Sequence, residues 1–312
     1  MHPAKSVIFF TTTTGAGYGL LFWLGILAYR GLLAADFIFG LVAFGIAFSL
    51  VVAGLLSSTM HLGHPERAWR ALSQWRSSWL SREGVLAIIT FIPTGLFALS
   101  WVVLGQNTGA VALLGLVGGL MSLLTVFSTS MIYASLKAIP AWSCRWTPWV
   151  YLVLSLMSGA LLASVLSAMD GIWAAVDWLI LPTLFFVGSA LVLKLSYWSA
   201  IDRGQESNAQ TATGLGEFGE VKLIESPHDQ PNFLLKEMGF VIARKHSKKL
   251  RRIVVLFGFL LPFVLVAGVW FSADSGRYLL LISIPSAAIG LMVERWLFFA
   301  EAKHVVTLYY DK

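Results

Sequence analysis

The sequence has 312 residues, of which 57% are hydrophobic and only 12% are charged, with a mean hydropathy of +0.77 and a net charge of +6. A typical soluble domain is about 25% charged, so this composition excludes an ordinary globular domain and predicts that much of the apolar sequence faces lipid. The single cysteine, Cys144, excludes a disulfide framework and an iron–sulfur cluster ligated only by thiolates of this chain.

Eight apolar segments are long enough to cross a membrane as helices, which requires about 20 residues. We expect the first to be a membrane span and not a cleaved signal peptide, because no Ala-x-Ala-like site follows it. These runs are too long for barrel strands, so the sequence predicts an all-α polytopic membrane protein, with residues 1–312 as one integral membrane domain. The predicted spans are 7–29, 37–60, 84–104, 108–136, 148–169, 173–198, 253–271 and 278–299.

An even number of spans places both termini on one side, together with the connections 61–83, 137–147 and 199–252. Of the 22 lysines and arginines, twenty lie on this side and only Arg30 and Arg277 lie on the other. The positive-inside rule then predicts that both termini and the long loops are cytoplasmic. Any chemistry or partner contact is expected on this face, because the opposite connections are short.

The densest polar stretch joins the second and third spans. His61 lies where the second span ends and Glu83 where the third begins, so an antiparallel pair of helices would bring them to one membrane depth. Arginines and tryptophans typical of a membrane interface surround them. These are Arg67, Arg70, Arg76 and Arg82 with Trp69, Trp75 and Trp79.

This pattern favours quinone chemistry. A quinone head group arrives from the bilayer, its carbonyls need hydrogen-bond donors such as His61, and its protons need a relay such as Glu83. Nearby arginines would keep the carboxylate ionised and stabilise negative charge on the head group. We therefore take His61, Glu83, Arg67, Arg70, Arg82 and Trp79 as candidate quinone-binding or proton-relay residues, with His64 as a further candidate in the loop.

Simpler interpretations remain open for the same residues. His61 could merely end a helix, Glu83 could complement the positive N-terminal end of the third helix, and the arginines could reflect topology alone. Haem is disfavoured, because none of the six histidines falls within a span. No metal site is expected in this chain.

Other polar positions carry weaker predictions. Small residues from Thr11 to Gly19 are typical of close helix packing and less often of a ligand wall. Glu301 and His304 follow the last span and could lie near the same face. Lys194 near the end of the sixth span is interpreted as snorkelling to the interface, and an ionisable chain through mid-membrane is not expected.

The loop 199–252 contains a segment, 233–244, that reads as an amphipathic helix at the interface or under a partner. Candidate docking residues are Phe233, Lys236, Arg244 and Lys248. The alternative for its cations is a topology signal with contact to anionic lipids.

Three motifs together give a family resemblance. The run His61-Leu62-Gly63-x-Pro65-x-Arg67-Ala68-Trp69, followed by Ser78-Trp79-Leu80-Ser81-Arg82-Glu83, resembles the DmsC-type membrane anchor of the dimethyl sulfoxide reductase family. So do the N-terminal His2-Pro3-Ala4-x-Ser6-Val7-Ile8 and the C-terminal run from Arg295 to His304. The anchor of the cytoplasmic sulfite dehydrogenase (the SoeC type) is similar.

The resemblance implies an eight-helix anchor without haem, in the bacterial cytoplasmic membrane. It implies docking of an iron–sulfur subunit that exchanges electrons with a molybdopterin catalytic subunit, and it assigns His61 and Glu83 to quinone binding, with ubiquinone and menaquinone both open. The cytoplasmic face favours a quinone-reducing sulfite dehydrogenase. A menaquinol-oxidising dimethyl sulfoxide reductase anchor and a purely structural anchor, with the quinone site in the partner, remain alternatives. A transporter is disfavoured, and nucleic acid is not expected as a partner.

Overall fold

The computed structural model describes residues 3–60, 62–203, 208–222, 224, 242–271 and 275–309, without the side chains of 212, 242–245, 308 and 309. Within these ranges the chain is helical and has no strand, and eight helices are long and apolar enough to cross a membrane. The first six are α1 Lys5–Tyr29, α2 Phe37–Thr59, α3 Trp79–Leu104, α4 Ala110–Ala134, α5 Thr147–Met169 and α6 Trp173–Asp202.

The seventh helix, α7, is composite. It runs as an α-helix over Ile242–Ile253, a π-helix over Val254–Leu260, an α-helix over Leu261–Gly268 and a 3₁₀ turn over Val269–Phe271. The eighth helix, α8, covers Gly276–Ala300. All eight predicted spans are therefore present as helices.

Three helix ends differ from the sequence prediction in ways that matter for the site. Helix α3 begins at Trp79 and not at residue 84, which brings Glu83 inside the helix. Helix α6 continues to Asp202 and α7 begins before residue 253, so both extend past the apolar runs that predicted them. The polar residues at the ends of long helices lie outside the apolar runs. Hydropathy alone therefore places the starts of α3 and α7 too late and the end of α6 too early.

Helices α1 and α5 form the centre of the bundle. About 61% of the α1 span and 67% of the α5 span are buried within the chain, against 33–39% for the other six. Helix α1 packs against α2, α4, α5 and α8, while α3 packs on α4, and α6 and α7 complete the other side. The remaining helices thus keep broad apolar faces for lipid, and the centre can hold polar side chains.

Close approach of helices depends on small residues, as the Thr11–Gly19 stretch predicts. A Cβ atom added at Gly19 of α1 would overlap the carbonyl of Ser155 on α5, and Gly159 faces Gly19 in the same way. Gly258 of α7 and Gly290 of α8 make a second such crossing. Backbones in membrane bundles can approach this closely only where the residues are small, because larger side chains would hold the helices apart.

The start of α1, the end of α8 and the described parts of the three connections 60–78, 135–146 and 203–241 lie at one end of the bundle, which we call the loop face. The connections at the opposite end are short. The loop face carries a 3₁₀ helix, Pro65–Gln74, and a short helix, Ala209–Thr213.

Candidate functional site

The connection between α2 and α3 presents stacked arginine–tryptophan pairs at the loop face. The guanidinium carbons of Arg70, Arg76 and Arg82 lie 5.6, 5.0 and 4.3 Å from the ring centroids of Trp69, Trp75 and Trp79, respectively. Trp69 and Trp75 are largely exposed. Cations stacked on aromatic rings in this way suit the membrane–water boundary, where one side of the pair is apolar and the other is wet.

His64 and Arg67 occupy the exposed part of this connection. His64 Nδ1 lies 3.0 Å from Glu66 Oε1, and Arg67 Nε lies 3.7 Å from the same oxygen. All three side chains are more than half exposed. Exposed ion pairs contribute about 1 kcal/mol or less, so this group is a surface feature, and its carboxylate partner is Glu66 and not Glu83.

Glu83 is buried inside the bundle. It is the fifth residue of α3, about 6 Å along the helix from its start, and its side chain is only 5% exposed. Thr129 Oγ1 of α4 donates a short hydrogen bond to Glu83 Oε1. One turn further, Thr125 and Thr90 join the same two helices with hydroxyl oxygens 3.1 Å apart.

Among the described residues, Glu83 is not surrounded by arginines as the sequence predicted. Arg82 donates from Nε to the carbonyl of Trp75 (3.0 Å) and from Nη2 to the carbonyl of Arg76 (2.7 Å). Successive positions on a helix point about 100° apart. Arg82 therefore points to the interface while its neighbour Glu83 points inward, so the two cannot pair.

His61 lies outside the described residues. Helix α2 ends at Thr59 and Met60 caps it, and His61 is the next residue in the sequence. Its proximity to Glu83 stays a prediction from the sequence.

A second charged cluster, which the sequence analysis missed, lies between α6 and α8. Lys194 Nζ lies 2.5 Å from Glu294 Oε1, and Arg295 Nε lies 2.7 Å from Glu294 Oε2. Lys194 and Glu294 are fully buried and Arg295 is 3% exposed. The snorkelling interpretation of Lys194 is wrong, because its ammonium group turns into the bundle toward a carboxylate 100 residues away in sequence.

Aromatic side chains connect the two clusters. The Arg295 guanidinium lies 3.9 Å from the centroid of the Tyr151 ring, and Tyr151 stacks on Tyr133 with centroids 6.0 Å apart. The Glu83 carboxylate interacts electrostatically with the phenol groups of both tyrosines. The buried charges thus form one polar layer across the half of the bundle nearest the loop face.

A small cavity lies within this layer, enclosed by α1, α4, α5 and α8. The space available to the centre of a water molecule is about 20 Å³, enough for one water. Its lining includes Thr11, Thr12, Gly15, Tyr151, Ser155 and Arg295. The small-residue stretch of α1 therefore serves helix packing and also forms one wall of a polar cavity.

Comparison with known proteins decides the family. A family model of the DMSO reductase anchor subunit (DmsC) matches residues 1–300. The chain belongs to the DmsC family. It is 33% identical to the C subunit of sulfite dehydrogenase from Allochromatium vinosum over 331 aligned positions, covering 100% of this chain and 99% of that protein. No solved structure matches the chain.

Shorter matches link it to the other branch of the family. It is 28% identical to the C chain of anaerobic dimethyl sulfoxide reductase from Escherichia coli, over 40% of this chain and 44% of that protein. It is 30% identical to the YnfH chain of an anaerobic dimethyl sulfoxide reductase from the same organism, over 38% and 41%. The protein is thus a multi-pass membrane anchor subunit, and such a subunit implies catalytic partner subunits.

Most of the predicted docking segment of this DmsC-family protein lies outside the described residues. Phe233 and Lys236 lie outside the described residues, and Arg244 falls in α7 without a described side chain. Lys248 is exposed and borders a shallow groove formed with Trp198, Asp202 and Leu256. The docking role of these four residues stays a prediction.

The C-terminal candidates form a separate group at the base of α7. Arg251 contacts Glu301 (Nε to Oε1, 3.0 Å) and Asp202 (Nη1 to Oδ2, 2.5 Å). Burial raises the pKa of the Glu301 carboxyl above its usual 4.5, although Arg251 opposes this. His304 Nδ1 accepts a hydrogen bond from the backbone of Val306. Neither Glu301 nor His304 has a described contact with Glu83.

No group of three or more His, Cys, Asp or Glu side chains is arranged to hold a metal ion in the part of the chain that the structure describes. What the site does offer is a buried carboxylate, a fixed guanidinium and aromatic surfaces beneath the interface. Hydrogen-bonding groups of this kind, in an apolar surround, suit an oxygen-bearing ring carried by a lipid tail. Among the residues missed from sequence, the Lys194–Glu294–Arg295 triad had one signal: a charge inside an apolar span needs a partner in another span. Thr129 and Tyr151 are uncharged and had no such signal.

Proposed function

We propose that this anchor subunit is quinone-reactive and exchanges electrons between the membrane quinone pool and an iron–sulfur partner subunit of a molybdopterin oxidoreductase complex. The observation that carries the proposal is the position of Glu83. A carboxylate buried about 6 Å below the start of α3, bonded to Thr129 and beneath the arginine–tryptophan pairs, is placed to exchange protons with a ligand from the bilayer.

The residues divide the chemistry between them. Converting a quinone to a quinol, or the reverse, moves two electrons and two protons. Glu83 is the proton-exchanging group, and Thr129 holds its carboxylate in one orientation. His61 supplies a hydrogen-bond donor and acceptor at the end of α2. Trp79 with Arg82, and Arg67 with Arg70, form the interfacial rim through which a lipid-carried head group would pass.

We favour a quinone-reducing role in a sulfite dehydrogenase. The full-length similarity to a sulfite dehydrogenase C subunit supports this direction, as does the excess of cations on the loop face, which points to the cytoplasm. The alternative is a menaquinol-oxidising anchor of a dimethyl sulfoxide reductase, which the shorter matches to C chains of such reductases support. In both cases the iron–sulfur and molybdopterin subunits dock on the loop face, in the bacterial cytoplasmic membrane.

The test uses the whole complex. His61→Ala and Glu83→Gln are expected to abolish quinone-coupled turnover, while turnover with a soluble electron acceptor or donor and assembly of the complex stay normal. Glu66→Gln, an exposed carboxylate in the same connection, is the matched control.

Normal quinone kinetics in both His61→Ala and Glu83→Gln would remove these residues from the mechanism. Photolabelling with a quinone analogue then separates the remaining possibilities. Label found only in the iron–sulfur partner would support a purely structural anchor. Label on α2, α3 or α4 of this chain supports a quinone site within it.

A further inference from the structure

The triad of Lys194, Glu294 and Arg295 is organised around one carboxylate. The two cations approach different oxygens of Glu294, at 2.5 and 2.7 Å, so the carboxylate is fully compensated. Counted with both cations protonated, the triad has one more positive than negative charge, in a region that is nearly inaccessible to solvent. Burying a charge without a counter-charge is unfavourable. A charge that is nevertheless kept there is a candidate for a functional role.

Arg295 is the member of the triad that borders the cavity. Its Nε is engaged with Glu294, and its buried Nη1 makes no hydrogen bond of good geometry among the described residues. The phenol group of Tyr151, which is also buried, is another polar group that interacts with the Arg295 guanidinium. The side chain lines the water-sized cavity, and its guanidinium lies over the face of Tyr151. A buried guanidinium donor normally has a partner, so Nη1 is a vacant donor beside a polar cavity.

The other walls of the cavity offer no carboxylate to that donor. The hydroxyl groups of Thr11, Thr12 and Ser158 donate to backbone carbonyls of their own helices. Ser155 donates to the carbonyl of Gly15 at 2.7 Å. Thr12 and Gly15 are the half-buried members of the lining, and the other lining residues are buried. The site is therefore polar, cationic at one end, and shaped for a single oxygen atom.

The cavity lies in the same layer as Glu83. Thr129, which binds Glu83, is three residues from Val126, which lines the cavity on α4. Tyr133 and Tyr151 interact electrostatically with both Glu83 and Arg295. An oxygen-bearing ligand in this layer would therefore share it with an acid and a fixed cation.

We infer that Arg295 is a further quinone-binding residue, whose Nη1 donates a hydrogen bond to a head-group oxygen. The inference rests on the proposed function. Because the cavity holds only one water-sized atom, the head-group oxygen alone enters it and the ring stays at its mouth. A fixed cation there stabilises the negative charge that a reduced or partly reduced ring develops.

Two double variants of equal net charge test this assignment. Glu294→Gln with Arg295→Gln, and Lys194→Met with Glu294→Gln, each remove one positive and one negative charge. The first removes the vacant donor and the second keeps it. The readout is the dissociation constant of a quinone analogue, measured by equilibrium binding to the assembled complex, together with the semiquinone signal in electron paramagnetic resonance.

We expect the first double variant to weaken analogue binding by about tenfold or more, as for loss of one charge-assisted hydrogen bond, and to lose the semiquinone signal. The second should weaken it by less than about threefold. Equal losses in both would mean that the triad is only structural, and unchanged affinity in both would mean that Arg295 binds resident water only; either result overturns the assignment.

Arg295→Lys keeps the positive charge but loses the planar set of guanidinium N–H donors. This variant tests the assignment if the first double variant fails to assemble. Wild-type analogue affinity in Arg295→Lys contradicts the assignment, and a loss of about tenfold supports it. Failure of the proposed function is distinguishable, because then Glu83→Gln would also retain quinone-coupled turnover.

Discussion

Thr129 of α4 donates its hydroxyl hydrogen to the buried carboxylate of Glu83 on α3, and this contact joins the two helices inside the bundle. The same hydroxyl lies 3.1 Å from the carbonyl of Thr125 in its own helix. Among the described residues, Glu83 is thus bonded to Thr129 and not to the arginines that precede it in sequence. Its orientation toward the interior depends on Thr129.

Thr129→Val should impair quinone-coupled turnover while leaving the fold intact. Valine has the same shape but cannot donate, so the Glu83 carboxylate loses its buried partner, at a cost of about 1–3 kcal/mol. We expect a drop of about tenfold or more in quinone-coupled kcat, with unchanged turnover on a soluble acceptor.

The control for this change is one helical turn away. Thr125→Val removes a hydroxyl that contacts Thr90 and leaves Glu83 untouched. If Thr125→Val slowed quinone turnover as much as Thr129→Val, the effect would belong to α3–α4 packing and not to Glu83.

The buried triad predicts an unequal response to two single substitutions. Glu294→Gln leaves Lys194 and Arg295 as two uncompensated cations side by side, whereas Lys194→Met leaves a neutral Glu294–Arg295 pair. Breaking a buried ion pair costs about 3–5 kcal/mol, so Glu294→Gln should fall in that range and Lys194→Met clearly below it. Thermal unfolding of the purified subunit in detergent measures both, and a greater loss for Lys194→Met would contradict this charge assignment.

The same triad shows which features of the fold could not be predicted from the sequence. Long apolar runs report lipid contact directly, so all eight spans were predictable, as was the polar stretch before the third span. The position of Glu83 inside α3 was not. Whether Lys194 reaches the interface or a partner depends on which helix packs against α6, and Glu294 is 100 residues away. Thr129 gave no signal at all, since hydroxyls are common in these helices and bond equally well to their own backbone.

The crossing of α1 and α5 also leads to a prediction about stability. A Cβ atom at Gly19 would overlap the carbonyl of Ser155, and backbone cannot move aside as a flexible side chain does. Gly19→Ala should therefore destabilise the bundle by about 1–3 kcal/mol or more, and should also disturb the polar layer, because Ser155 lines the cavity.

Gly45→Ala is the matched control, since a Cβ there meets nothing within 4 Å. Alanine favours helix over glycine by about 1 kcal/mol, so this variant should match or exceed the wild-type melting temperature. Equal melting temperatures for the two variants would show that the α1–α5 contact is looser than the structure has it.

Glu301 predicts a pH dependence of stability near the loop face. Its side chain is 8% exposed beside Arg251, and burial raises the pKa of its carboxyl above the usual 4.5 more strongly than Arg251 lowers it. The folded chain therefore holds this proton more tightly than the unfolded chain. The resulting stabilisation is complete below about pH 4.5 and is lost as the pH rises through the raised pKa.

Glu301→Gln should remove that component, because glutamine does not titrate. The melting temperature in detergent, followed from about pH 4 to pH 8, should decline less in Glu301→Gln than in the wild type. Asp202→Asn is the control, since this carboxylate contacts the same Arg251 but is 56% exposed. A pH profile that Glu301→Gln leaves unchanged, or that Asp202→Asn flattens equally, would show that the buried carboxyl is not its source.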